Sequence, residues 1–163
     1  MREIKFRGKR KDSGQWVFGG YHQWITRQIC PIGDDNLEPE DIKDVIITDS
    51  FADWNMPKSM QAVEILPETL GQYTGLKDKN GKEIYEGDII ECVSWNEFFS
   101  NDGKPMEALR RKMKVVFYNG AFKMKETFPY GVPSHYWDII CNGDVEIIGN
   151  SYDNPELLEE VRE

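Results

Sequence analysis

Cysteine and histidine, the side chains that most often build metal and nucleophilic sites, are scarce in this chain of 163 residues, which has three cysteines and two histidines. Cys30, Cys92 and Cys141 lie far apart with no CxxC spacing, so the sequence predicts neither a disulfide framework nor a zinc ribbon. We interpret them as buried thiols of a reducing cytosol. An enzyme that uses Cys92 or His135 with nearby carboxylates is the minor alternative.

Signature motifs of common enzymes are absent too: the sequence has no GxxxxGK[ST], GxGxxG, GxSxG, HExxH or EF-hand loop. The segment Asp78–Gly81 begins like a calcium loop, but Ile89 stands where the distal glutamate ligand is needed, so we interpret the segment as a turn. These absences predict a protein with no enzyme activity, no cofactor and no metal site.

Long hydrophobic runs are missing as well. No apolar stretch approaches the roughly 20 residues that cross a bilayer, and residues 1–7 lack the apolar stretch of a signal peptide. The sequence therefore predicts a cytoplasmic protein with no membrane contact.

Charge is unevenly distributed along the chain. The whole sequence has a net charge of −9, but residues 1–16 carry six cations and two anions, which leaves −13 for the rest. The cations of this basic arm are Arg2, Lys5, Arg7, Lys9, Arg10 and Lys11. They fit either a solvated strand and turn, paired with the acidic residues between positions 34 and 44, or a contact to nucleic-acid phosphates.

Aromatic residues crowd two segments. One, with Trp16 and Trp24, lies beside the basic arm, and the other holds Tyr136 and Trp137. Core packing is the ordinary use of such residues, while small β proteins also present them with basic groups to bind bases or peptides. The four residues and the six cations of the basic arm are our candidate binding residues.

Short β-branched and aromatic runs punctuated by Gly, Asn and Asp favour a mainly β fold, since long helical periodicity is almost absent. A hairpin is expected over Met113–Lys125, where Asn119 and Gly120 fit a type I′ turn. Alternation places four apolar residues on its buried face: Val115, Phe117, Phe122 and Met124. A strand over Lys82–Val93 is expected to bend at Gly87 and so to serve two sheets. Other strands are expected at Glu3–Arg7, Gln15–Ile25, Val45–Thr48, Ala62–Leu66, His135–Ile140 and Asp144–Gly149.

Helix is expected in two places. At the C-terminus, Asn154 is a suitable N-cap and Pro155 a suitable first residue for a short helix over Glu156–Val161. Pro105–Lys112 contains good helix formers, although a loop is an open alternative. Thr26–Asp44 is rich in acidic residues and proline and is expected to be a surface excursion.

The sequence contains an internal repeat-like pattern. Phe6–Gly20 aligns with Tyr73–Gly87 without a gap, and both segments are typical of a strand, a turn with a left-handed glycine, and a returning strand that ends at a glycine bend. The pattern predicts two small β units, residues 1–66 with the acidic excursion and residues 67–163, unless the match arises by chance.

Three segments of the sequence resemble the YopX family of phage and prophage proteins: Met1–Arg7, Pro67–Ile90 and Ile148–Leu157. The resemblance implies a mainly β protein with an SH3-like barrel in its C-terminal part, encoded by a bacteriophage or prophage and located in the bacterial host cytoplasm. It implies no catalytic residue, activity or ligand.

The leading hypothesis is therefore a non-enzymatic phage accessory protein that binds a protein partner through a β surface or a sheet edge. The alternative is a nucleic-acid-associated factor that contacts phosphate through the basic arm. Exposed edges of small sheets also predict a homo-oligomer.

Overall fold

The computed structural model describes residues 3–27, 37–49, 59–94, 109–126, 134–139 and 145–158. Within these ranges the protein is mainly β, as predicted, with no α-helix. The strands are β1 (Phe6–Lys9), β2 (Trp16–Ile25), β3 (Ile42–Asp49), β4 (Met60–Glu64), β5 (Gly71–Lys77), β6 (Glu83–Tyr85), β7 (Asp88–Ser94), β8 (Leu109–Tyr118), β9 (Ala121–Glu126), β10 (His135–Asp138) and β11 (Val145–Asn150). Short 3-10 helices span Pro39–Asp41, Pro67–Thr69 and Pro155–Leu158. None of these helices is long and apolar enough to cross a membrane.

The strands form two antiparallel sheets. The six-stranded sheet has the order β4-β3-β2-β1-β5-β6, and the five-stranded sheet has the order β10-β9-β8-β7-β11. The chain forms two compact units, residues 1–73 and 74–163; a domain division after Leu66 stays a prediction. Among the described residues no pairing joins β10 to β11, so no closed barrel is seen in the second unit.

Each unit has its own buried core. In the first unit the buried aliphatic residues are Val45 and Ile46 of β3, Val63 of β4, and Ile65, which follows β4. The core of the second unit is formed by Ile84, Ile90, Met113, Val115, Met124 and Val145. Burial of aliphatic side chains on this scale supplies the main driving force for folding each unit.

The predicted hairpin is present as β8 and β9. Asn119 and Gly120 have φ of 49° and 79°, as a type I′ turn requires, and Phe117 lies opposite Phe122. The expectation that the whole apolar face is buried is wrong at Phe117, which is 55% exposed. β7 pairs with β8 only as far as Lys114, so no third strand covers the tip of the hairpin.

The predicted helix over Pro105–Lys112 is wrong where the structure describes it, because Leu109–Lys112 belongs to β8 and residues 105–108 lie outside the described ranges. Pairing with β7, in which Arg111 lies opposite Cys92, outweighs the local helix propensity of the segment. Two other expectations need correction. The described part of the C-terminal helix is a 3-10 turn that ends at Leu158, and residues 159–161 lie outside the described ranges. The acidic excursion ends at Asp41, because β3 begins at Ile42, and its residues 28–36 also lie outside those ranges.

The predicted bend at Gly87 is confirmed. β6 belongs to the six-stranded sheet and β7 to the five-stranded sheet, and Gly87 lies between them with φ of +85°. Its N–H donates to the carbonyl of Val115 at 2.9 Å, and its carbonyl accepts from the N–H of Ser151 at 2.8 Å. A Cβ on Gly87 would lie 3.0 Å from Cε2 of Tyr152. Both the backbone angle and the packing therefore favour glycine.

We predict that Gly87→Ala destabilises the protein by about 1–3 kcal/mol, because alanine is strained at this φ and crowds Tyr152. Urea unfolding followed by circular dichroism measures the change. Gly20→Ala is the matched control, since a Cβ there meets no heavy atom within 4 Å. Equal unfolding midpoints for the two variants would contradict the prediction.

Candidate functional site

Basic and aromatic candidates come together on one face of β1 and β2. In the antiparallel register Lys9 lies opposite Trp16 and Arg7 lies opposite Phe18. Directly opposed residues share a face of the sheet, and alternation along the chain places Lys5 on that face too. We call these five residues the cation–aromatic ladder.

The cations of the ladder stack on the rings. Cζ of Arg7 lies 4.7 Å and Nζ of Lys9 lies 5.5 Å from the centre of the Trp16 ring, and Nζ of Lys5 lies 5.9 Å from the centre of the Phe18 ring. These distances lie within the range of cation–π attraction. Arg7 is buried, whereas Phe18 is 44% exposed. Within the ladder Arg7 is therefore enclosed, whereas Phe18 presents an accessible aromatic surface.

The far end of the basic arm is neutralised by carboxylates. Arg10 pairs with Asp12 at 2.8 Å, and Lys11 pairs with Glu64 of β4 at 2.5 Å. The hydrogen bond from Arg10 holds the pKa of Asp12 well below its ordinary range, and the hydrogen bond from Lys11 lowers the pKa of Glu64. Such exposed pairs add little stability, but they reduce the positive potential available to a phosphate.

A groove opens beside the ladder. It has a volume of about 330 Å³, and its lining includes Lys5, Phe18, Gly20, Ile47 and Asp49. Gly20 lies opposite Ile47 in the β2–β3 register, and its missing side chain leaves space next to Phe18. Ile47 is 38% exposed, so apolar carbon faces solvent on both sides of the gap. Sequence reasoning did not identify Gly20 and Ile47, because their proximity depends on the strand register.

Other predicted site residues fall elsewhere. Trp24 lies further along β2, opposite Lys43, and is 51% exposed. Tyr136 and Trp137 belong to β10 of the second unit and lie on opposite faces of that strand, since neighbouring residues alternate. Arg2 lies outside the described residues.

The geometry gives no support to a nucleophilic cysteine at position 92. Cys92 is half-buried, and burial raises the pKa of its thiol, with the nearby charge of Arg111 acting in the opposite direction. An activated cysteine needs a lowered pKa. Cys30 and Cys141 lie outside the described residues. Within the described ranges no group of three or more His, Cys, Asp or Glu side chains is arranged to hold a metal ion.

Comparison with known proteins places the chain in a family. The family described as YopX protein matches residues 5–159, so the chain belongs to the YopX family. Protein EF1440 from Enterococcus faecalis has a crystal structure that is similar to this chain, with 22% sequence identity and a TM-score of 0.46. That similarity covers 97% of this chain and 99% of EF1440. No curated protein matches the sequence.

The turn that resembles a calcium loop is organised by a buried carboxylate. Oδ1 of Asp78 accepts the N–H groups of Asn80 and Lys82, both at 2.9 Å, and Oδ2 accepts the N–H of Ile147 in β11 at 3.2 Å. Burial by itself raises the pKa of Asp78, but these donors outweigh it and the pKa lies below its ordinary value. The carboxylate joins the turn to β11 and has a structural use.

We predict that Asp78→Asn destabilises the protein by about 1–3 kcal/mol at pH 7, because an amide presents N–H groups where the backbone already donates. The lowered pKa stabilises the fold above about pH 4, and this contribution is lost as the pH falls through the folded-state pKa. Urea unfolding at pH 7 and pH 3 should therefore show a smaller difference between variant and wild type at pH 3.

The matched control is Asp138→Asn, which changes an exposed aspartate paired with Lys123. We expect it to change the free energy of unfolding by less than about 0.5 kcal/mol at pH 7. A similar cost for both variants would show that Asp78 has no special structural role.

Proposed function

We propose that this member of the YopX family is a non-enzymatic phage or prophage protein that binds another protein in the cytoplasm of the bacterial host. The groove beside Phe18 carries the proposal, because exposed apolar carbon from Phe18 and Ile47 flanks an opening of about 330 Å³. Aromatic and aliphatic side chains around a concavity, with charge at the rim, are typical of protein-binding surfaces.

The chemistry of the groove suggests the kind of partner. Lys5 lines the groove and lies over the Phe18 ring. Two acidic residues, Glu3 and Asp49, also line it. A partner segment with an apolar side chain for the gap, a carboxylate near Lys5 and a cation near Glu3 and Asp49 complements this arrangement. Trp24 extends the exposed aromatic surface along β2.

For the second unit, the fold that we propose is the SH3-like barrel implied by the family resemblance. Five antiparallel strands with β7 following a glycine bend are compatible with this fold.

We predict that Phe18→Ser weakens partner binding at least about tenfold, because it removes the exposed ring that lines the groove. The assay is capture of partners by tagged protein from phage-infected lysate treated with nuclease, followed by titration of the recovered protein. Phe117→Ser is the matched control, since Phe117 is also exposed and lies in the second unit. Urea unfolding establishes that both variants fold.

Two outcomes would overturn this assignment of the site. The first is equal loss of binding in both variants. The second is recovery of nucleic acid without any protein that survives nuclease treatment.

A nucleic-acid contact is the second candidate, and the ladder is the observation that favours it. Lys5, Arg7 and Lys9 lie on one face beside two aromatic rings, an arrangement that also suits phosphates and stacked bases. The net charge of −9 and the ion pairs of Arg10 and Lys11 oppose it.

We predict that the protein binds a labelled single-stranded oligonucleotide no more tightly than about 100 μM at 150 mM salt, a value typical of weak non-specific binding. Fluorescence anisotropy at several salt concentrations measures the affinity and its salt dependence. Tighter binding that falls steeply with salt, and that is lost in the double variant Lys5→Gln and Lys9→Gln, would favour the nucleic-acid function instead.

A further inference from the structure

One edge of the described part of the second unit is formed by β10. β10 ends the strand order of the five-stranded sheet, and its four residues are all exposed. Its pairing with β9 places Trp137 opposite Met124 and Asp138 opposite Lys123. A strand in this position presents backbone N–H and C=O groups that another strand can pair with.

The hairpin fixes which backbone groups point outward. In a two-residue hairpin the residues that flank the turn, here Tyr118 and Ala121, form a hydrogen-bonded pair, and hydrogen-bonded pairs then recur at every second residue. Met124 and Glu126 of β9 therefore direct their backbone groups toward β10, where they meet Trp137 and His135. It follows that Tyr136 and Asp138 direct their N–H and C=O groups to the outer edge.

We propose that β10 pairs with β10 of a second copy of this chain, antiparallel and in a register that places Tyr136 opposite Asp138 of the second copy. Two copies related by a two-fold axis normal to the sheet have the same face on the same side. The sequence positions of two residues that lie opposite each other must therefore differ by an even number, because only such residues share a face of the strand. This register meets that condition, places the axis at Trp137, and uses the outward groups of Tyr136 and Asp138 in both copies for four hydrogen bonds.

The side chains are compatible with that register. Trp137 lies on the same face as the buried Met124 and is 46% exposed. Facing its own copy across the axis, it extends the buried core over the edge of the sheet, and opposed aromatic rings favour pairing. On the other face each Asp138 lies opposite a tyrosine, so the two carboxylates are not directly opposed.

A second copy fits this edge better than an unrelated strand, because the same short strand supplies the backbone groups and the apolar side chain on both sides of the contact. The same two residues provide every outward donor and acceptor, and the same tryptophan provides both halves of the apolar contact. This inference is independent of the partner-binding groove, which lies in the first unit.

Asp138→Pro tests the proposal, because proline removes the outward N–H of residue 138 and leaves the inward groups of His135 and Trp137 unchanged. We expect the full chain to sediment as a dimer with twice the monomer mass of 19.0 kDa, and Asp138→Pro to weaken dimerisation at least about tenfold. Asp138→Ala is the matched control, since it removes the same carboxylate but keeps the N–H, and it should remain a dimer. A monomeric wild type, or equal effects of the two substitutions, would overturn the proposal.

Amide hydrogen exchange in the wild type provides a test that does not depend on the folding of a variant. The N–H groups of Tyr136 and Asp138 should be protected at high protein concentration and should lose protection on dilution. The N–H groups of His135 and Trp137, which bond to β9, should show protection that is far less sensitive to concentration. Rapid exchange of Tyr136 and Asp138 at every concentration would contradict the proposed pairing.

Discussion

Strand register is the constraint on which the surfaces of this protein depend. Side chains alternate between faces, so a slip of one residue would move every side chain of a strand to the other face. In the observed register Lys9 lies opposite Trp16, and Gly20 lies opposite Ile47. The first pairing, between β1 and β2, allows the stacked cations, and the second, between β2 and β3, opens the groove, so each feature depends on its own strand register.

Local signals in the sequence predict the parts of the fold that depend on local chemistry. Positive φ angles occur at Asn119, Gly120 and Gly87, and few residue types other than glycine and asparagine adopt them. The hairpin and the bend between the sheets can therefore be predicted from these residues. The segment at Leu109–Lys112 is different, because its strand conformation depends on pairing with β7, which is distant in sequence. The candidate site divides in the same way. Trp16 and the cations are recognisable as candidates, whereas Gly20 and Ile47 become significant only once β2 and β3 are aligned.

The cations of the basic arm are close together in the sequence, but those that the structure describes do not form one exposed basic patch in the folded protein. The fold gives them different partners. Arg7 is buried against Trp16, while Arg10 and Lys11 pair with carboxylates of Asp12 and Glu64. A phosphate would have to compete with these contacts, which is costly for a buried guanidinium and unfavourable in a chain of net charge −9. Phe18 and the adjoining groove are thus more accessible to a partner than the run of charge is.

The two aligned segments, Phe6–Gly20 and Tyr73–Gly87, both contain a turn with a left-handed glycine, but the side chains around that glycine have different roles. Gly14 and Gly81 occupy equivalent positions, and both have positive φ, as their turns require. The closing bonds differ, because Arg10 donates to the carbonyl of Gln15 in one turn and Asp78 donates to the carbonyl of Lys82 in the other. The residue of the first segment that aligns with Asp78 is Lys11, an exposed cation, whereas Asp78 is a buried acceptor of three backbone N–H groups. A left-handed glycine is therefore common to both turns, whereas the residues around it determine which backbone bond closes the turn and whether a carboxylate holds it. The glycine bend expected at the end of both segments is found only at Gly87, since β2 continues through Gly20 to Ile25.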